Sequence, residues 1–177
     1  MNLHEIFEKR QSNRKYSDRP VKKEDLLLCL DAARLAPSAL NAQAWKFIVI
    51  DEPELKKNIA ELAHSLGMNK FAVQAPVIIA CVIEKPRITS YLGEIIQDKD
   101  YRMLDLGIAI ENICLQATEL GLGTCIMGWF NETKAKALLG VPHAKRMPIL
   151  ITLGYSEDKP TVRHRKPLEK IVSYNKY

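Results

Sequence analysis

Long apolar runs are missing from this chain. None approaches the ~20 residues that cross a bilayer, and the first ten residues, MNLHEIFEKR, put charges where a secretion signal needs an apolar stretch. Both absences point to a cytoplasmic protein with no membrane partner. Cysteine is sparse: Cys29, Cys81, Cys114 and Cys125 stand singly in apolar surroundings, with no CxxC and no nearby histidine pairing. That argues against a disulfide frame and a zinc site and leaves reduced core residues. Neither a P-loop nor GxGxxG occurs, so a phosphate would have to be held by side chains. The aromatics do not interleave with the basic residues, and no RRM, KH or helix-turn-helix signature is present, which argues against nucleic acid as a partner.

What is present is the composition of a soluble globular protein. The 177 residues are 47% hydrophobic and 27% charged, enough for one domain, 1–177, with a full core. The formal charge is +5, which fits an anionic ligand and equally fits plain solubility. Two basic clusters near the chain ends make the ligand worth pursuing.

The patterning predicts a short amphipathic helix from Leu3 and a second over Lys23 to Leu35, with Glu24 and Asp25 in its first turn. That helix should stop at Ala36, because the residue before a proline is pushed out of helical geometry. Trp45 to Ile50 reads as a strand, and Pro53 starts a helix running to about Leu66, with Gly67 as its stop. Val77 to Ile83 and Met147 to Tyr155 are unbroken apolar runs, predicted as strands buried on both faces. The polar stretch from Lys85 to Asp100 reads as a surface helix or lid. The long helix Tyr101 to Leu120, closed by Gly121, is apolar on more than one stripe, so it should be nearly enclosed or lie at a homodimer interface.

Four stretches carry candidate chemistry. In RQSNR, an extended backbone would project Arg10, Ser12 and Arg14 from one side, two forked cations flanking a hydroxyl, as a phosphate cradle would need; a solvated basic turn has the same composition. In APSALNAQAW, Ser38, Asn41 and Gln43 offer donors and acceptors among small residues, although ordinary helix-to-strand connections also favour Pro, Ser and Asn. In GLGTCIMG, Gly128 would permit close backbone approach, or it simply ends a core strand. Near the C-terminus, Arg163, Arg165 and Lys166 return to positive charge.

Taken in order and spacing, these pieces resemble the nitroreductase family of FMN-dependent, NAD(P)H-using oxidoreductases. RQSNRKY is similar to the family's Arg-x-Ser-x-Arg pattern, APSALNAQAW to its APS-x-x-N-x-Q-P-W segment, and GLGTCIMG and LGY followed by RHRKPLEKIV complete the set. The resemblance implies an α+β fold, a mixed central sheet flanked by helices, in an intertwined homodimer with FMN at each of two subunit interfaces. It implies that Arg10, Ser12 and Arg165 hold the phosphate, assisted by Arg163 or Lys166, with Gln11 among the cofactor-binding residues and Arg14 toward the flavin pyrimidine or sharing the phosphate. Pro37, Ser38 and Ala39 would approach the FMN of a second subunit, and Asn41 and Gln43 would bond the flavin edge. The backbone of Ile126, Met127 and Gly128 would lie beside the ring.

The activity so implied is hydride uptake from NADPH or NADH and delivery to a small-molecule acceptor such as a nitroaromatic or quinone, by a ping-pong cycle. A flavin brings its own redox chemistry, so no side-chain catalyst and no metal is required. A dehalogenating or flavin-fragmenting branch, and a flavin-binding regulatory or storage protein without turnover, are the alternatives. Three departures stand out: Ala44 replaces the family's proline before Trp45, Gln11 replaces an arginine or histidine and removes charge, and the stretch between Ile83 and Tyr101 is short.

Overall fold

Four strands form one sheet in the order β1-β2-β4-β3: β1 (Trp45–Ile50), β2 (Val77–Ile83), β3 (Gly123–Met127) and β4 (Arg146–Gly154). They are seen in a computed structural model that describes residues 1–64, 67–84 and 100–177. The expected lid, apart from Asp100, lies outside the described residues. All three ladders are antiparallel, with Trp45 opposite Ile83, Val77 opposite Leu153 and Gly123 opposite Gly154. In a sheet expected to be mixed, the parallel component among the described residues is a single bridge, Ser12 to Thr124.

Helices on both faces explain why β2 and β4 read as unbroken apolar runs without being parallel. One face of the sheet sends Ile79, Cys81, Ile151 and Leu153 against α2 (Lys23–Arg34) and α4 (Tyr101–Glu119). Residues of opposite parity, Ile78, Ala80, Val82 and Leu150, meet α3 (Pro53–Ala63) and α5 (Glu132–Leu138) on the other. All four cysteines are free and buried in these two layers. Burial pushes the Cys29 thiol up to about 12 and the Cys114 thiol to about 11, so both stay protonated near neutral pH.

Helix ends follow local chemistry. A capping box between Asn2 and Glu5 starts α1 (Leu3–Lys9). The Glu52 carboxylate accepts the N–H groups of Glu54 and Leu55 at 3.0 and 2.6 Å to start α3. That helix ends at Ala63, short of the expected Leu66, because His64 already has an extended backbone (ψ 96). Gly67, with φ +79, therefore belongs to the turn that follows rather than to a helix stop. The expected enclosure of α4 is also only partial. Met103, Ile108 and Leu104, the last 62% exposed, leave one face of it open.

The chain ends are zipped together. After β4 the backbone runs antiparallel to residues 7–17: Ser17 N–H donates to the Tyr155 carbonyl (3.0 Å), Tyr16 bridges Ser156, and Glu157 N–H donates to the Lys15 carbonyl (3.0 Å). The N–H groups of Arg14 and Lys15 donate to Asp158 Oδ2 at 2.5 and 3.0 Å. The same N-terminal strap leans on β3, where Asn13 N–H donates to the Thr124 carbonyl at 2.8 Å. Beneath it, the buried Tyr16 hydroxyl donates to the Asn13 carbonyl (2.9 Å) and lies 2.8 Å from Thr152 Oγ1.

Gly123 makes the three-way contact possible, since a Cβ there would sit 2.7 Å from both Asn13 Cγ and Ser156 Cβ. Gly123→Ala is expected to cost about 1–3 kcal/mol in urea unfolding, as overpacking does. Gly128→Ala, whose nearest neighbour would be Ile149 Cδ1 at 3.7 Å, should leave the unfolding midpoint in place.

Candidate functional site

The zipper carries three guanidinium groups to the end of α1. Arg10 Nε lies 3.4 Å from Glu111 Oε1 on α4. Arg163 donates through Nη2 to the carbonyls of Phe7 (3.3 Å) and Glu8, the negative end of the short helix. Its Nη1 is buried with no hydrogen-bond partner. Burial, then the charges of Arg10 and Arg165, hold Arg163 below the usual arginine range. Arg165 donates to the adjacent His164 carbonyl at 3.1 Å and is otherwise open to a cavity of ≈ 390 Å³ lined by Phe7, Glu8, Thr161, Val162, Arg163 and Arg165. Like charges gathered round an unpartnered buried donor fit a multiply charged anion with several acceptor oxygens. Lys166 is exposed beside them.

Gln11 stands apart from this pocket. Its Nε2 donates to the Lys159 carbonyl at 3.2 Å, and its Oε1 accepts from Thr161 N–H at 3.1 Å and Thr161 Oγ1 at 3.0 Å. Both ends of the amide are bonded to the chain itself, where the family resemblance implied a place among the cofactor-binding residues.

Farther along the strap a second cavity opens at Arg14. Ser12 is exposed, with its hydroxyl beside the Cys125 thiol. Arg14 lies 6.0 Å from the Phe71 ring centroid and lines a cavity of ≈ 560 Å³ with Met68, Asn69, Lys70 and Gln74. This is a different cavity from that of Arg163 and Arg165. Asn69, at φ 56, donates to the Trp129 carbonyl at 2.9 Å and ties this wall to the end of β3. There Ile126 is 41% exposed while its strand neighbours are buried. Ile126 and the exposed Gly128 share one side of the strand, whereas the Met127 side chain points into the core.

Sequence reasoning overlooked Asn69, Lys70, Phe71 and Gln74. Their signal was a polar Asn-Lys pair ahead of an aromatic, with no periodic spacing to mark it.

The loop after α2 is built on strain. Leu40, Asn41 and Gln43 have φ of 51, 52 and 48, in the left-handed region that side chains disfavour. Ser38 Oγ accepts Gln43 N–H at 3.0 Å, and Gln43 Nε2 donates to the Asn41 carbonyl (3.3 Å) and to Asn41 Oδ1 (2.9 Å). Ala39 N–H donates to Oδ2 of the buried Asp105 on α4 at 3.0 Å. Pro37 is exposed, and Ser38 and Ala39 are half-buried. Among the described residues, no hydrogen bond or ion pair joins this loop to Arg10, Ser12, Arg14, Arg163 or Arg165. One chain thus assembles the strap, the end of β3 and the C-terminal arginines, and leaves the loop apart.

Comparison with known proteins agrees with this architecture. The model of the nitroreductase family matches residues 7–155. The chain is 35% identical, over 85% of its length and 83% of the relative's, to an Archaeoglobus fulgidus protein named NADH dehydrogenase/NAD(P)H nitroreductase. It is 28% identical, over 97% of its length and 98% of the relative's, to a Streptococcus pyogenes protein named as an NAD(P)H nitroreductase. The solved structure of an FMN-dependent nitroreductase from Clostridium difficile superposes with a TM-score of 0.82 at 30% identity, covering 97% of this chain and 98% of the other.

The Asp105 anchor has a measurable weight. Asp105→Ala leaves the Ala39 N–H unpaired and is expected to lower unfolding stability by about 1–3 kcal/mol. Asp105→Asn, whose amide oxygen can still accept that N–H, should recover part of the loss in the same urea titration.

Proposed function

The chain belongs to the nitroreductase family, and from that premise we propose that it is a homodimeric FMN-dependent oxidoreductase working by a ping-pong cycle. Bound FMN would supply the redox chemistry, taking hydride from NADPH or NADH and passing the electrons to a nitroaromatic, a quinone or a similar acceptor. The observation that carries this reading is one strap that brings Arg10 beside Arg163 and Arg14 to a second, separate cavity. From Arg10 to Arg14 an extended backbone covers ~13 Å, the scale of a ribityl phosphate leading to a flat ring.

In this reading the residues divide by chemistry. Arg10, Arg163 and Arg165 hold the phosphate, the orphan Nη1 of Arg163 finding its acceptor there, with Lys166 adding charge. The Ser12 hydroxyl adds a bond along the tail. Arg14 brings positive charge toward the pyrimidine edge, where it favours electron uptake. Ile126, Met127 and Gly128 present backbone to the ring, and the missing Cβ of Gly128 leaves room for a flat face. Pro37, Ser38 and Ala39 serve the cofactor of the second subunit and Asn41 and Gln43 the flavin edge of the other, a division between two cofactors that suits a strained loop at a subunit interface.

Uncovered apolar surface supports the dimer. The open side of α4 lies in the same chain as a C-terminal segment whose Leu168, Ile171, Val172, Tyr174 and Tyr177 are all exposed. Exposed apolar area on this scale marks an interface. Sedimentation should give twice the chain mass, and Leu104→Glu is expected to shift it toward the monomer.

The cofactor assignment is tested by reconstitution. The protein should bind FMN, and its yellow colour should bleach with NADPH or NADH without oxygen; colour that persists would indicate a flavin carrier without turnover. Arg10→Ala and Arg165→Ala should each weaken FMN at least about tenfold, as loss of a charged hydrogen bond does. FMN content unaltered in both variants would sink the phosphate assignment.

A further inference from the structure

Gln11 sits between Arg10 and Ser12, yet its side chain reaches the far end of the chain. Its three hydrogen bonds to Lys159 and Thr161 are, among the described residues, the ones that hold 159–162 to anything else. Asp158 is the last zipper position before them, and Val162, just after them, is 94% exposed. The two arginines therefore follow directly on a turn whose hydrogen bonds to the rest of the chain, among the described residues, are made by Gln11.

Physical necessity for such a fastener comes from repulsion. Arg10 and Arg165 both act against the charge on Arg163, and the carbonyls of Phe7 and Glu8 are its opposing anchors. A tether fixed two residues before Arg163 and four before Arg165 removes most of the freedom by which these cations would drift apart. A neutral amide suits the task. A cation at this position would add to the repulsion, and a carboxylate would lose the donor that binds the Lys159 carbonyl.

We propose that Gln11 is a positioning residue, a neutral clasp that fixes the 159–161 turn so that Arg163 and Arg165 meet Arg10 round one phosphate. It thereby sets the preference for phosphorylated over unphosphorylated flavin. The inference rests on the FMN reading above and assigns Gln11 no contact with the cofactor.

Gln11→Met keeps the length of the side chain and removes all three bonds. Wild type and variant are titrated with FMN and with riboflavin by quenching of flavin fluorescence, and melted with and without inorganic phosphate. The variant should bind FMN about tenfold more weakly, bind riboflavin as wild type does, and gain less thermal protection from phosphate. Thr161→Val, lacking the hydroxyl bond alone, should show the same FMN-selective loss at smaller size. Equal weakening of both flavins, or unchanged FMN affinity, overturns the clasp. If wild type binds neither flavin but phosphate protects it more than Gln11→Met, the cofactor reading fails and the clasp stands; equal protection in that case removes both.

Discussion

The antiparallel zipper between residues 7–17 and 155–163 is the constraint on which the rest depends. It joins segments about 150 residues apart in sequence, as the Gln11 contacts record, and lays both against β3 through Asn13 and Gly123. Without it the basic clusters at the two chain ends would be separate solvated patches. With it, Arg10 and Arg163 are close enough to perturb each other, and the strap leads straight from that charge to the open end of β3.

Energetically the zipper is a balance of opposing terms. Buried bonds at Tyr16, Thr152 and Asn13 and the paired backbone hold the segments together, while three guanidiniums at its open end push apart. An anion bound there, as proposed, would relieve the repulsion and couple ligand binding to closure of the zipper by linkage, since whatever binds the closed form stabilises it. The loop at 38–43 shows a second kind of stored cost, left-handed backbone held by Asp105 and by its own side chains. Both features concentrate unfavourable energy where the proposed cofactor would lie, as functional sites commonly do.

Much of this was legible in the chain itself. β1 and β2 were read to the residue, since each is an apolar run bounded by Pro, Asp or Glu, and α2 stopped where Pro37 required. Strand direction was not legible, because a run covered on both faces looks alike in parallel and antiparallel sheets. The overrun of α3 came from an apolar pattern that continues past a backbone already extended at His64. The hydrogen-bond partners of Gln11 were not legible, because a partner 148 residues away leaves no local trace. Asn69 and Phe71 were passed over because their role comes from lying opposite Arg14 in space. The polar groups of Asn41 and Gln43 looked free in sequence, yet in one chain they bond each other.

The place of Arg163 and Arg165 in chain order has a consequence for limited proteolysis. Every strand of the sheet ends by Gly154, so the sheet draws none of its ladder pairing from the segment that carries Arg163 and Arg165. A chain clipped shortly after β4 would keep all four strands and, on the reading proposed above, would lose two of the three guanidinium groups assigned to the phosphate.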